Sequence, residues 1–294
     1  MKNENKIQRR DLIKTLAVGA TTAFIGSGFT KLDAQEVSNQ LKGNINHSLC
    51  QWCYPDLSLE ELCEVAKEFG LMGIDLIGPS GWDTLKKHKL VSTMCNGAEI
   101  SLTEGFNDPQ YHPVLIENYT KNIKLVAEAG FTNLICFSGN KRGMDDETGL
   151  QNCVQGLQQI LPLAEKLGVV IQMELFNSKV DHPDYMCDNS AWGIKLCKRL
   201  DSPNFKLLYD IYHMQISEGD IIRSITDNHQ YFGHYHTAGV PGRNEINDTQ
   251  ELFYPAIMKA IVASGYEGVV AQEFIPKNEN PLESLKESIL ICDV

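Results

Sequence analysis

Short apolar runs alternate with longer segments that carry helix start and stop signals, from about residue 45 to the end of the chain. The runs are rich in β-branched and aromatic residues, which is typical of buried strands. The predicted strands cover residues 45–52, 73–78, 90–98, 133–139, 169–176, 205–213, 231–237 and 268–274. The predicted helices cover residues 58–70, 82–88, 113–130, 148–168, 190–200, 220–229, 251–265 and 281–292.

The helix boundaries carry specific residue signals. A Ser or Thr followed three positions later by Glu or Gln forms a capping box, and a glycine in the left-handed conformation ends a helix. Capping boxes are predicted at Ser58 and Thr148, and terminating glycines at Gly70, Gly130, Gly168 and Gly265. Eight strand–helix units without a hairpin signal predict an α/β fold, a single-domain (β/α)8 TIM barrel over residues 45–294.

A doubly wound open sheet is the alternative fold. That fold normally places a glycine-rich phosphate-binding turn after its first strand. The corresponding residues here are Trp52-Cys-Tyr-Pro55, which contain no glycine. The barrel is therefore the preferred interpretation.

Four predicted strands end in a residue of a type that commonly binds metal ions, namely Glu, Asp or His. Glu174, Asp210, His236 and Glu273 close these strands, and His213 follows Asp210. Because the carboxyl ends of barrel strands meet around the active site, we expect a metal site there. His234 shares a strand face with His236 and is expected to be a hydrogen-bonded core histidine beneath that site.

The first 34 residues differ from the rest of the chain. Arg9-Arg10-Asp-Leu-Ile-Lys14 resembles the twin-arginine export motif, and an apolar, small-residue run follows it. We expect residues 1–34 to be a twin-arginine signal segment, residues 35–44 a linker, and the folded protein to be periplasmic. A cytosolic amphipathic helix beginning at Arg10 is the alternative. An uncleaved anchor also stays open, because Leu32-Asp-Ala34 departs from the usual cleavage pattern.

The charge balance limits the partners. The 294 residues carry a formal net charge of −12, and the first 34 contain six Lys/Arg and three Asp/Glu, so the remainder carries −15. An acidic body without clustered Lys/Arg argues against nucleic acid and, the N-terminal anchor aside, against membranes. The expected partner is a small molecule, and a homo-oligomer is compatible with the sequence.

Nine cysteines are present, an odd number, and most lie in apolar runs. We expect buried free thiols that pack as small hydrophobic groups. Cys50-Gln-Trp-Cys53 has redox spacing, but its position on a predicted strand points the two thiols to opposite faces.

Four sequence blocks carry a family resemblance. Met173-Glu-Leu175, Tyr209-Asp-Ile-Tyr-His-Met-Gln215, Gly233-His-Tyr-His-Thr-Ala-Gly-Val-Pro-Gly-Arg243 and Ala271-Gln-Glu-Phe274 resemble the hydroxypyruvate isomerase branch of the xylose-isomerase-like sugar isomerases and epimerases. The resemblance runs from about Asn46 to the C-terminus. It implies a TIM barrel with isomerase or epimerase activity.

The resemblance also implies roles for individual residues. It assigns one divalent metal ion to Glu174, Asp210, His236 and Glu273. Three carboxylates and an imidazole favour Mn²⁺, Mg²⁺ or Co²⁺ over Zn²⁺. His213 and Arg243 resemble family residues that hold substrate oxygens, and His182 and Trp52 are further candidates for the pocket lining.

The substrate stays open between hydroxypyruvate and an unphosphorylated keto-sugar. Some hydroxypyruvate isomerases carry Gln at the third ligand position, whereas His236 matches the ketose 3-epimerases. On either substrate the metal would stabilise an enediolate, while Glu174 and Glu273 act as general base and acid.

Two other classes compete with the enzyme. One is a non-catalytic exported sugar-binding barrel that keeps the metal for structure, although a complete pair of glutamates favours the enzyme. The other is the related metal-dependent endonuclease family, which needs a site richer in histidine and a basic face for DNA. The acidic balance of the chain argues against that second class.

Overall fold

A computed structural model describes residues 41–294, so the predicted signal segment and most of the predicted linker lie outside the described residues. Eight parallel strands form one sheet in the order β3-β2-β1-β8-β7-β6-β5-β4. The strands are β1 (Asn46–Cys50), β2 (Gly73–Asp75), β3 (Val91–Ser92), β4 (Asn133–Cys136), β5 (Val170–Glu174), β6 (Phe205–Asp210), β7 (Phe232–Thr237) and β8 (Val269–Gln272).

Strands β3 and β4 lie at the two ends of this order and are joined through one residue. Cys95 forms parallel bridges with both Ile77 and Leu134, so the sheet curls into a nearly closed barrel. Helices alternate with the strands. The predicted single-domain (β/α)8 TIM barrel is therefore confirmed, and the open doubly wound sheet is excluded.

The helices connect successive strands. They are α1 (Leu59–Glu68), α2 (Trp82–Lys87), α3 (His112–Ala129), α4 (Asp146–Leu157), α5 (Leu161–Leu167), α6 (Ser190–Leu200), α7 (Ile211–Ser217), α8 (Ile221–Asn228), α9 (Tyr254–Ala263) and α10 (Pro281–Cys292). The predicted capping box at Ser58 is present in full on α1. The four predicted terminating glycines all have positive φ, which a side chain at Cβ would disfavour.

The single helix predicted over residues 148–168 is wrong. The structure has two helices, α4 and α5, with an interruption around Gln158 and Pro162 in the first turn of α5. Proline lacks an N–H and suits a helix start rather than a helix interior. The capping box predicted at Thr148 is wrong too, because α4 is capped by Asp145, whose side chain accepts from the backbone N–H groups of Glu147 and Thr148.

The strand predicted over residues 205–213 ends at Asp210, and helix α7 begins at once. The prediction placed the first helical signal near Asp220, where α8 begins. Asp210 is the N-cap of α7, and its Oδ1 accepts from the backbone N–H of His213 at 3.0 Å. Its Oδ2 atom is left for the candidate site, so Asp210 can both cap α7 and bind a metal ion.

Other predicted elements are shorter in the structure. Strand β1 ends at Cys50 and continues as a 3-10 turn over Gln51–Cys53 rather than as strand. Strand β3 covers only two residues, and α9 begins at Tyr254, with Pro255 in its first turn. All nine cysteines are free and buried, and burial raises the thiol pKa of both Cys50 and Cys53, so the redox interpretation has no reactive thiol to use.

One continuous apolar core fills the barrel and the layer beneath the helices. Leu134, Ile171 and Leu207 are fully buried from three neighbouring strands, and Ile123 of α3 and Leu196 of α6 are buried from the helix side. Among residues 41–294, no helix is long and apolar enough to cross a membrane. The strands packed in this core carry at their ends the polar side chains described next.

Candidate metal centre and active site

The strand register brings four polar side chains together at the carboxyl end of the barrel. Asp210 on β6 pairs directly with His236 on β7, and Glu174 is the last residue of β5. Glu273 follows β8, and its backbone N–H donates to Thr237 of β7. One potential ligand atom from each of these four residues lies within 4.8 Å of the other three, and all four residues are buried.

The hydrogen bonds around this group leave room for a cation. His236 Nε2 lies 2.8 Å from Asp75 Oδ2, so its Nδ1 faces the carboxylates of Glu273 and Glu174 at 2.9 and 3.4 Å. Neither His236 Nδ1 nor Glu174 Oε1 has a hydrogen-bond partner. Burial opposes a proton on His236, but Glu273 and Asp75 outweigh it and raise the pKa of this imidazole well above its usual value. A divalent ion bound between these atoms would replace that proton. The residues therefore fit a divalent metal ion.

The electrostatics of the group favour added positive charge. Burial, reinforced by Glu273, raises the pKa of Glu174 to about 7. Burial also raises the pKa of Asp210 to about 8, despite the nearby Arg243. Burial opposes ionisation of Glu273 as well, but His236 and Arg243 outweigh it and lower the pKa of this carboxyl well below its usual value. The site therefore places three carboxyl groups in one buried space, where a bound cation would stabilise their charged forms.

Asp75 completes the group from beneath, and the sequence analysis missed it. This fully buried carboxylate on β2 lies within hydrogen-bond distance of His236 and of His234, whose Nε2 is 3.1 Å away, and it accepts from Thr93 Oγ1. Burial alone would raise the pKa of Asp75, but the two histidines hold it well below its usual value. His234 is therefore the hydrogen-bonded core histidine that was expected. Asp75 went unnoticed because the predicted strand ran past it to residue 78.

A cavity of about 570 Å³ opens directly above the four side chains. Glu174 and Glu273 reach its floor, and Trp52, His182 and Arg243 are also part of its lining. The other lining residues are mostly apolar but include three polar side chains. These residues are Leu76, Asn96, Glu99, Ile100, Ser101, Leu102, Ile135, Phe137 and Phe176.

Trp52 and Arg243 hold Glu273 in place. Trp52 Nε1 donates to Glu273 Oε1 at 2.9 Å, and Arg243 Nη2 donates to Glu273 Oε2 at 2.6 Å. The guanidinium group lies between the rings of Trp52 and Tyr212, 5.1 and 5.5 Å from their centroids, and 3.6 Å from Asp210 Oδ2. Both residues thus contact the cavity and a candidate ligand at once.

The two remaining predicted site histidines occupy different depths. His182 lines the cavity and stacks on Phe176, with ring centroids 4.1 Å apart. His213 is fully buried and is not part of the cavity lining; its Nε2 lies 3.7 Å from Asp210 Oδ2. Its Nδ1 lies 2.7 Å from the side-chain amide of Asn177, another residue that the sequence analysis missed.

A parallel barrel with a buried group of three carboxylates and an imidazole at the strand ends defines the class of protein. Residues 55–291 match the model of the xylose isomerase-like TIM barrel family. The chain belongs to this family.

Individual relatives are more distant. The chain is 34% identical over 110 residues to the 2-oxo-tetronate isomerase of Cupriavidus necator, covering 37% of this chain and 42% of that protein. It is 26% identical over 225 residues to the hydroxypyruvate isomerase of Escherichia coli, covering 73% of this chain and 86% of that protein. The crystal structure of a 3-keto-D-glucoside 4-epimerase from E. coli matches with a TM-score of 0.71 at 19% identity, covering 84% of this chain and 98% of that one.

These matches differ in what they support. The chain spans less than half the length of the first curated relatives it matches, 42% and 39% of them. The structural match, at 19% identity, shows the fold alone. The activity of this chain therefore has to be argued from its own residues.

Proposed function

We propose that this protein is a divalent-metal-dependent isomerase or epimerase that moves a proton at a carbon next to a carbonyl group. The observation that carries the proposal is the convergence of Glu174, Asp210, His236 and Glu273 beneath a cavity, with two ligand atoms lacking any hydrogen-bond partner. The names of the curated relatives, hydroxypyruvate isomerase and 2-oxo-tetronate isomerase, agree with this class of reaction.

These four residues would hold the ion, which when bound supplies Lewis-acid polarisation of the substrate carbonyl. Glu174 and Glu273 both face the cavity, from β5 and from the end of β8, and are the groups placed to remove and return a carbon-bound proton. Asp75 orients the imidazole of His236, and Trp52 orients the carboxylate of Glu273. Arg243 offers positive charge to substrate oxygens at the cavity floor.

The charges of the cavity favour a neutral, unphosphorylated keto-sugar over hydroxypyruvate. A divalent ion and Arg243 together balance the carboxylates of Glu174, Asp210 and Glu273. Glu99 then adds a further negative charge to the lining, and no lysine is among the described residues that line the cavity. A carboxylate or phosphate on the substrate would meet no uncompensated positive charge, whereas hydroxyl groups can bind to the polar side chains of the lining, Asn96, Glu99 and Ser101.

The test is exchange of substrate protons with solvent. The Mn²⁺-loaded protein is incubated in D₂O with a panel of ketoses, aldoses and hydroxypyruvate, each reaction is quenched with chelator, and the products are read by proton NMR. We expect one C–H signal of a neutral ketose to disappear and an isomer to form, and we expect no exchange in a control treated with chelator beforehand. A sugar that binds without exchange would instead favour the non-catalytic sugar-binding barrel.

We also infer that the chain is exported in folded form by the twin-arginine route to the periplasm. The inference rests on Arg9-Arg10 and the modestly apolar run after them, which lie outside the described residues. Replacing both arginines with lysine should leave the protein in the cytoplasmic fraction. Unchanged recovery from the periplasm would remove this inference.

A further inference from the structure

Asn177 lies in the loop after β5, fully buried beside the metal group. Its Oδ1 accepts from the backbone N–H groups of Val180 and Asp181, both at 3.0 Å. These two donors fix the orientation of the side-chain amide, because an NH₂ group in that place would face two hydrogens. The Nδ2 atom therefore points the other way, to Asp181 Oδ2 at 2.6 Å and to His213 Nδ1 at 2.7 Å.

The fixed amide determines which nitrogen of His213 carries the proton. Nδ1 faces an N–H donor and must accept, so in the neutral ring the proton sits on Nε2. That Nε2 is buried, has no hydrogen-bond partner and lies 3.7 Å from Asp210 Oδ2. The ring is held in place by Phe176 and Tyr212, at centroid distances of 4.9 and 5.1 Å.

We propose that Asn177 is a positioning residue that fixes His213 in the tautomer with its proton on Nε2, so that an N–H donor faces Asp210 and turnover of the substrate depends on it. The part that concerns the substrate rests on the proposed function. The part that concerns the tautomer rests only on the hydrogen bonds of Asn177.

The tautomer is measured by NMR, without substrate. Protein labelled with ¹⁵N-histidine is loaded with Mg²⁺, which is diamagnetic, and the His213 ring is assigned by comparison with His213→Gln. We expect a protonated Nε2 and a bare Nδ1 in the unmodified protein. In Asn177→Asp the amide donor becomes an acceptor, and Nδ1 should carry a proton.

Charge-matched variants keep this test decisive. Should Asn177→Asp fail to fold beside Asp181, the double variant Asn177→Asp/Asp181→Asn exchanges the two groups and retains the same net charge. Asn189→Asp is the matched control, because Asn189 also accepts from a backbone N–H, that of Trp192, and donates to an aspartate, Asp188, but contacts no histidine. The control should leave the His213 resonances unchanged.

The activity measurement tests the second part. Turnover of the substrate found in D₂O should fall about 10–100-fold in the folded Asn177 variant, as is usual for residues that orient a ligand or catalytic group, while Mn²⁺ occupancy stays at one per chain. A proton on Nδ1 in the unmodified protein, or the same tautomer in the variant, would overturn the proposal. An altered tautomer with unchanged turnover would overturn its link to the reaction.

Discussion

The surroundings of Glu174 and Glu273 differ, although the two residues occupy matching positions at the floor of one cavity. Both carboxylate oxygens of Glu273 accept hydrogen bonds, one from Trp52 and one from Arg243. Glu174 Oε1 has no hydrogen-bond partner and lies 3.4 Å from His236 Nδ1. Both oxygens of Glu273 are therefore engaged in hydrogen bonds, whereas at least one oxygen of Glu174 is not.

This difference suggests separate roles for the two glutamates, as metal ligand and as proton acceptor, which the sequence alone does not distinguish. His236 and Arg243 keep Glu273 ionised, and hydrogen bonds from Trp52 and Arg243 fix its orientation, which suits a permanent ligand. Burial instead raises the pKa of Glu174 to about 7, where a small change in surroundings moves its proton. Because its Oε1 atom also accepts no hydrogen bond, Glu174 is the better candidate for the group that first takes up the substrate proton.

The largest expected effect is the loss of proton exchange in Glu174→Gln. An amide cannot accept the proton, so exchange in D₂O should fall by about 10²–10⁴-fold. The melting temperature should stay unchanged or rise, because a neutral amide replaces a carboxylate whose charged form is disfavoured by burial. Glu273→Gln should lose exchange to a similar degree but should also lose stability, on the order of 2 kcal/mol, because Arg243 loses a charged partner.

Glu245→Gln is the matched control for both variants. Glu245 is buried outside the site, and a single oxygen, Oε1, accepts from the backbone of Lys277 and from Ser284. Glutamine retains that oxygen, so exchange should persist. Equal loss of stability in Glu174→Gln and Glu273→Gln would show that the two environments are equivalent.

Asp210 is the third carboxylate of the candidate metal site, and its removal should weaken metal binding. Asp210→Ala removes a charged ligand and should lower the affinity for Mn²⁺ by about 100-fold or more, measured by calorimetry. It also removes the cap of α7, which contributes about 1 kcal/mol. Asp210→Asn keeps the cap and removes the charge, and Ser58→Ala removes a cap on α1 far from the metal. Full Mn²⁺ affinity in Asp210→Ala would show that this residue is not a ligand.

The raised carboxyl pKa values predict an unusual pH dependence for the metal-free protein. The pKa values of Glu174 and Asp210 are higher in the folded state, at about 7 and about 8, so folding favours their protonated forms. Their contribution to stability is present below the usual carboxyl pKa and is lost as the pH rises through about 7 to 8.

A divalent ion replaces those protons, so its effect should increase with pH. The gain in melting temperature on adding Mn²⁺ should be several degrees larger at pH 8 than at pH 6, since about 1 kcal/mol shifts the midpoint by roughly 2–4 °C in a chain of this size. The double variant Glu174→Gln/Asp210→Asn should lose this difference. An equal gain at both pH values in the unmodified protein would contradict the raised pKa values.

The smallest effect is expected when the hydrogen bond from Trp52 to Glu273 is removed. Trp52→Phe keeps an aromatic face beside Arg243 but removes the N–H that orients Glu273. Because Trp52 is 43% exposed, we expect a loss of about 1 kcal/mol, or ~5-fold in exchange rate. Trp82→Phe is the control, since Trp82 Nε1 donates to the backbone of Ile77, away from the ligand group. A rate unaffected by Trp52→Phe would mean that Arg243 alone orients Glu273.

The sequence predicts the barrel and the ligand candidates because both depend on local patterns. Terminating glycines, apolar runs and the metal-binding residue types at the ends of four strands are visible without contacts. Asp75 and Asn177 are not visible in this way, because their importance comes from side chains that approach from distant strands and loops, such as His236 and His213. The short helix α7 was missed because Asp210 gives a cap signal and a ligand signal at the same position.

Anomalous diffraction from a crystal grown with Mn²⁺ tests the central claim most directly. We expect one peak per chain within bonding distance of Glu174, Asp210, Glu273 and the Nδ1 atom of His236, with Nε2 of His236 still on Asp75. Binding through Nε2 would contradict the proposal that Asp75 orients the imidazole of His236. A peak elsewhere, or none at saturating Mn²⁺, would contradict the metal centre and the chemistry proposed from it.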